Sequence, residues 1–317
     1  MAITTEPDGT GGTTGPTATR SRHDGGATGA RRRQSPGRWF RDTGWRHLVG
    51  LAVLVFALFP IVFVVSASLN PLGTLTASNS LFSRISLDNY RALFTTPAYP
   101  YVDWYGNTLF VAVTTAVLQV LVACMSAYAF SRFRFAGRRV GLLGLLLIQM
   151  FPQILAAIAI FLLVFEIGNV FPAVGLGTGL GLVFVYMGGA LGVSTFLLKG
   201  FFDTVPKELD EAMKMDGAGH ARVFFTMILP LSAPVLAVVV LLAFIGTLNE
   251  FLVASIILTA PEDQTLSVGL YRLVSDSLNA NWGFFAAGSL LGTIPPVLLF
   301  FWLQKYIVAG LTAGAGK

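Results

Sequence analysis

The chain has 317 residues, 54% of them hydrophobic and only 12% charged, against roughly 25% charged in a soluble domain. That balance excludes a soluble globular protein and points to one built into a membrane. The one cysteine, Cys124, sits inside an apolar run, which rules out an internal disulfide framework and any Cys-based zinc site.

In chain order, residues 1–44 come first: a basic arm rich in Gly, Thr and Arg with almost no large apolar side chain. Such a segment cannot build a core and is expected to be disordered. Its "RRRQSPGRWFR" stretch either lies against anionic headgroups or only fixes topology. Six apolar segments follow, at 48–69, 108–130, 140–165, 179–198, 231–258 and 284–306, each near the ~20 residues that a spanning helix needs. They are continuous rather than alternating, which selects helices over a barrel. The expected fold is therefore an all-α polytopic membrane protein of six transmembrane helices. Between the first two spans, 70–107 is a substantial loop whose aromatic residues suit a membrane interface, with a short helix expected around 87–94. The glycine-rich "GLGTGLGL" at 175–182 has no lysine partner for a phosphate and reads as flexibility at the start of a helix.

With the N-terminus inside, the inside segments hold 18 of the 21 Lys and Arg residues, leaving only Arg84, Arg91 and Arg272 outside. The positive-inside rule then places both termini, and the segment between the fourth and fifth spans, in the cytoplasm.

That segment contains "ELDEAMKMDGAGHARVFFTMILP", from Glu208 to Pro230. Pro206 suits the first turn of a helix. Glu208, Asp210 and Glu211 then oppose the positive end of its dipole. Leu209, Ala212 and Met213 are expected to share a small apolar face. Gly217 permits a turn that a side chain would resist. A second short helix, from Gly219 to about Leu229, leads to Pro230 and the fifth span. By its physics alone, this is either a docking device or an interfacial hairpin joining two spans.

The residue pattern resembles the EAA loop of ABC-importer permeases. Glu211, Ala212, Gly217, Leu229 and Pro230 match in register, while Met213 and Met227 depart at the third and the Ile positions. Three further stretches, "GTLNEFLVASIILTAPEDQTLSVGL", "NWGFFAAGSLLGTIPPV" and "YIVAGLTAGAGK", are most similar to the smaller permease of maltose/maltodextrin importers. The resemblance implies the type I importer permease architecture over 45–317, with a coupling loop at 203–230, in the cell membrane of a prokaryote. It implies no catalytic site in this chain and no cofactor bound by it, with ATP and Mg on partner subunits. The implied partners are a second permease in a heterodimer, two ATP-binding subunits, an extracytoplasmic sugar-binding protein and membrane lipid, with no nucleic acid. Pro206, Glu211, Ala212, Met213, Asp216, Gly217, Leu229 and Pro230 would form the coupling contact. The tail, including Gly310, Leu311, Thr312 and Lys317, would insert between the ATP-binding subunits. The segment at 261–278 would be an exposed outer loop touching the sugar-binding protein.

Polar residues within spans face a cavity or another helix. Gln119, Gln149, Gln153, Asn249 and Glu250 are the candidates for a sugar path, and Gln149 and Gln153, four apart, are expected on one face. Each glutamine also suits interhelical hydrogen bonding. Glu250 has three roles open to it: contact with sugar, pairing across a permease interface, or capping a broken helix. A secondary transporter would need ionisable relays, and Glu250 is the one acid deep in a span. A membrane enzyme would need paired acids or metal ligands at one face. His23, His47 and His220 are scattered and have no ligand spacing. Within the importer reading, the cargo is a maltose-type sugar or, as alternatives, a galactose- or trehalose-containing oligosaccharide or glycerol phosphate.

Overall fold

The structure is a computed structural model that describes residues 44–72, 80–275 and 282–314, with the backbone alone for Ala190 and 308–314. The basic arm up to residue 43, positions 276–278 of the outer segment, and Lys317 lie outside the described residues. The chain divides into two compact units between Val55 and Phe56, a boundary that falls within α1 (Trp45–Ser68).

The described residues are almost wholly helical. After the short α2 (Asp88–Thr95) comes α3 (Tyr101–Arg132), unbroken over 32 residues, about 48 Å at 1.5 Å per residue. Pro100 precedes it, and Phe133 ends it in extended backbone.

The next three apolar segments are helical but broken. The third divides into α4 (Arg138–Gln149) and α5 (Gln153–Val170) around Pro152, whose ψ of 118° is extended. Proline has no N–H to continue the ladder and disfavours helix in the residue before it. The fourth divides into α6 (Gly179–Met187) and α7 (Val193–Thr204) around a 3₁₀ turn, Gly188–Leu191. The fifth divides into α10 (Ala233–Asn249) and α11 (Leu252–Ile257), with Glu250 extended between them at ψ 125°. Ahead of α10, α8 (Lys207–Met215) and α9 (His220–Leu231) fill the connection from the fourth segment. After it come α12 (Leu266–Ser275) and α13 (Trp282–Gly314).

All six expected segments lie on helix. Yet among the described residues only four helices are individually long and apolar enough to cross a membrane, or five if α9 and α10, bent by 81°, count as one. Hydropathy reads composition and is blind to a break that changes no composition. Residues 261–278, expected as an exposed loop, instead carry α12, with Leu266, Val268, Leu270 and Leu273 buried against α3 and α13. Helix α13 runs through Pro295 and Pro296 and is helical as far as Gly314, which includes Gly310, Leu311 and Thr312 of the tail. Tyr105 Oη donates at 3.4 Å to the Leu291 carbonyl, which Pro295 leaves without an N–H partner.

Helix α3 is the hub, packing against α6, α7 and α10, while α10 also packs on α13. At the coupling-loop end, Cys124, Ala127 and Tyr128 of α3 meet Leu198, Phe202, Val223 and Ile228. At the other end, Tyr101 and Trp104 meet Leu266, Leu273 and Phe284. Lipid is as apolar as leucine, so close packing and interhelical hydrogen bonds hold such spans, each bond contributing ~0.6 kcal/mol on average. Tyr101 Oη to Gly288 O at 2.9 Å and Gln119 Nε2 to Tyr186 O at 2.7 Å are two of them.

Candidate coupling loop and membrane cavity

Helix α8 begins at Pro206, which is the N-cap (φ −55°, ψ 134°) rather than the first helical residue. Glu208 and Asp210 lie in the first turn and Lys214 in the last, each matching the sign of the nearer dipole end. The helix closes with a Schellman turn. Gly217, at φ +80°, donates to Lys214 O at 3.0 Å, and Ala218 donates to Met213 O at 3.0 Å. The positive φ favours glycine because a Cβ would crowd the backbone. Beyond the turn, α9 contains a π turn over Phe224–Ile228 and then meets α10 at Ser232.

The two faces of α8 differ from expectation. Asp210 is buried and Met213 packs on the core, whereas Leu209 and Ala212 face outward with Glu211, Asp216 and Gly217. Met215 is 89% exposed and Leu209 42%. What anchors α8 is electrostatic. Arg132 Nε, at the end of α3, lies 2.8 Å from Asp210 Oδ2, with both side chains almost fully buried. Arg132 Nη2 also donates to Val205 O at 3.0 Å. Removing one member of such a pair strands a buried charge, at a cost of about 3–5 kcal/mol. Beside it, Asp203 accepts from Ser131 Oγ at 2.6 Å and Lys199 Nζ at 2.6 Å. Burial raises the Asp203 pKa, but those bonds and the charges of Lys199 and Arg138 outweigh it and hold the carboxyl below its ordinary value.

Gln119, Gln149, Gln153 and Glu250 all line one cavity of about 990 Å³, with Tyr186, Ser194 and Thr247. Gln149 ends α4 and Gln153 begins α5, so it is the break at Pro152, not one helical face, that brings both to it. Asn249 departs from the set: it lines a second cavity of about 520 Å³ between α10, α12 and α13, and its Nδ2 donates to Ile245 O at 3.0 Å. Glu250 caps the broken helix. Its Oε1 accepts from Val253 N at 2.8 Å, and its Oε2 from Ala254 N at 3.0 Å and from the Tyr186 hydroxyl. Tyr186 and Arg132 are the residues that sequence reasoning passed over, and Asp210 entered it only as an acid at a helix start. Arg132 entered it only as one of the inside cations, and no local pattern pairs it with Asp210. Among the described residues, no three His, Cys, Asp or Glu side chains gather to hold a metal.

Amide side chains thus line a cavity among the apolar helices, and a short helix is held at the end of the hub span. The family model described as "Binding-protein-dependent transport system inner membrane component" matches residues 119–313. The galactooligosaccharides transport system permease protein GanQ of Bacillus subtilis (strain 168) is 41% identical over 272 residues, covering 86% of this chain and 94% of the relative. The maltodextrin transport system permease protein MdxG of the same organism is 39% identical over 264 residues, covering 83% and 92%. In three dimensions the chain is similar to a chain of a bacterial ABC transporter involved in the import of the acidic polysaccharide alginate, with TM-score 0.69 and 25% identity, covering 85% and 98%. The chain belongs to the family of binding-protein-dependent transport system inner membrane components. It is a membrane permease and not an enzyme.

Proposed function

We propose that this chain forms half of the translocation path for a maltose- or malto-oligosaccharide-type sugar and couples it to ATP hydrolysis on partner subunits. The observation that carries the coupling is the outward face of α8: Leu209, Ala212 and Met215 stand exposed on a helix pinned from behind by Arg132. Exposed apolar side chains on so firmly held a short helix suit insertion into a groove of an ATP-binding subunit. In this reading Glu211 pairs across that contact, Ala212 permits close approach, and Gly217 sets the angle between α8 and α9. Pro206 and Pro230 stiffen the two ends, and Met213, Asp216 and Leu229 hold the loop's shape.

The assembly is a heterodimer of permeases on two ATP-binding subunits, which bind ATP and Mg, fed by an extracytoplasmic sugar-binding protein. The chain crosses the cell membrane of a prokaryote six times, with both termini in the cytoplasm and the arm 1–44 apart from the permease domain. Gln119, Gln149 and Gln153 offer donors and acceptors to sugar hydroxyls, while Glu250 holds the wall of the cavity. Asn249 serves the neighbouring cavity.

Identity of 41% to a galactooligosaccharide permease supports a second cargo, a galactose-containing oligosaccharide. The test is the ATPase activity of the reconstituted complex with its binding protein loaded with each sugar. Stimulation by maltodextrins supports the first cargo, and stimulation by galacto-oligosaccharides alone replaces it with the second. Uptake driven by an ion gradient without ATP would refute the importer reading. The tail from Gly310 through Leu311 and Thr312 to Lys317 contacts the ATP-binding subunits. Deleting 311–317 should weaken co-purification, and a truncated chain that assembles and transports normally would refute that contact.

A further inference from the structure

Helix α3 touches both ends of the molecule's working parts, and it does so through named polar side chains. At its first turns, Trp104 Nε1 donates to Pro261 O at 2.6 Å. Asn107 Nδ2 donates to Glu262 O at 2.8 Å and to Gln264 O at 3.2 Å. Thr108 Oγ1 accepts from Leu266 N at 2.6 Å. The Trp104 ring lies against Gly269, where any Cβ would collide with it. The segment 261–269 is thus fastened to α3 at four successive points. At its last turn, the Arg132–Asp210 pair and the bond to Val205 O fasten α8 and the residue before Pro206.

Between these ends α3 has no proline, no 3₁₀ turn and no change of helix type. The apolar segments at 140–165 and 179–198 are interrupted near their middles, and that at 231–258 at 250–251, toward its end. A displacement at 261–269 that travels through one of those meets a break where the backbone can bend, whereas through α3 it meets none. An ion pair combined with a directed hydrogen bond fixes both position and orientation; an apolar contact lets one surface slide over another.

Resting on the importer reading above, we infer that α3 is a rigid strut carrying motion between the 261–269 segment and the coupling helix α8. Arg132 and Asp210 form its inner joint, and Trp104, Asn107 and Thr108 its outer one. These are positioning residues, since they act through α8 and the 261–269 segment and touch no cargo.

Two experiments on the full reconstituted complex test it. In the first, spin labels replace Glu262 and Lys214, both exposed, in a Cys124→Ser background, and their separation is measured without nucleotide and with a trapping ATP analogue. A separation that changes by less than the distance between adjacent residues along the backbone, about 3.8 Å, is expected, and a larger change overturns the strut. The second uses Arg132→Met/Asp210→Leu, which leaves no lone buried charge. Its maximal stimulation by loaded binding protein should fall about tenfold, within the range of inter-site coupling, at an unchanged half-stimulating concentration. Arg132→Lys, which keeps the charge, should retain most of the stimulation. Full stimulation in the double variant overturns the joint. If the double variant does not assemble, the label separation, measured with the joint intact, decides alone. Failure of the unaltered chain to co-purify with ATP-binding subunits would instead sink the importer reading, and is seen before any variant is made.

Discussion

The coupling loop and the membrane cavity are built from the sequence in opposite ways. The loop draws its visible features from one stretch, 206–230, where a proline, an acidic first turn and one glycine at φ +80° set each bend in turn. The cavity gathers Gln119, Gln149, Gln153, Tyr186 and Glu250 from four apolar segments and depends on three helix breaks to bring them together. Local chemistry shapes the first; tertiary geometry shapes the second. The loop should therefore fail sharply when a single local rule is broken, and the cavity should fail by degrees.

Gly217→Pro tests the sharp failure most severely. Proline fixes φ near −65° and removes the N–H that Gly217 donates to Lys214 O. Uptake should vanish while membrane insertion persists. Glu211→Lys, which reverses an exposed charge on the docking face, should have the same effect without touching the fold. Normal sugar-stimulated ATPase activity in either variant would break the comparison.

Asp210→Leu comes next. It leaves Arg132 buried and unpaired, a loss of about 3–5 kcal/mol, readable as a large fall in melting temperature. Adding Arg132→Met should restore most of that stability. No recovery in the double variant would mean the pair is structural in a way charge alone does not explain.

For the cavity, Glu250→Ala strips two backbone N–H groups of their acceptor, a cost of about 1–3 kcal/mol for an unsatisfied buried group. Glu250→Gln, which keeps one acceptor oxygen, should cost less. Gln149→Ala and Gln153→Ala should leave stability alone and raise the sugar concentration that gives half-maximal uptake. Equal stability losses at all three positions would show the wall to be a packed core rather than a cavity.

The smallest effect concerns pH. With the Asp203 carboxyl held below its ordinary value in the folded chain, its contribution is fully present above the unfolded pKa of ~3.9. It disappears as pH falls through the lower folded value. Asp203→Asn should flatten that acid limb slightly, and an unchanged limb would remove Asp203 from the account.

The signals that made the loop legible are one-dimensional: Gly217 at its spacing from Glu211 and Pro230, and acids at a helix start. The helical character of every apolar run was legible for the same reason. The inward face of α8 was not, because Asp210 is an acid that the sequence assigns to solvent, and its burial is explained only by Arg132, which lies far away along the chain. Gln149 and Gln153 were expected on one helical face; the break at Pro152 instead puts them on two helices that line one cavity. Asn249, one residue from Glu250, parts from it because the chain leaves the helix between them. Helix α12 escaped notice because its flanks, rich in Pro, Asp, Gln and Ser, have the composition of an exposed loop.

The angle of 81° between α9 and α10 has a mechanical consequence. Helix α9 is an arm about 18 Å long at 1.5 Å per residue, set almost square to α10. If the two turn together in the plane they share, the free end of the arm, at His220 beside the Gly217 turn, moves nearly parallel to α10. A tilt of ~10° would carry that end roughly 3 Å for an arm of this length. Were the arm in line with α10, the same tilt would swing its end sideways instead. The near-right angle acts as a bell crank, turning a small tilt of a membrane helix into travel along its own axis.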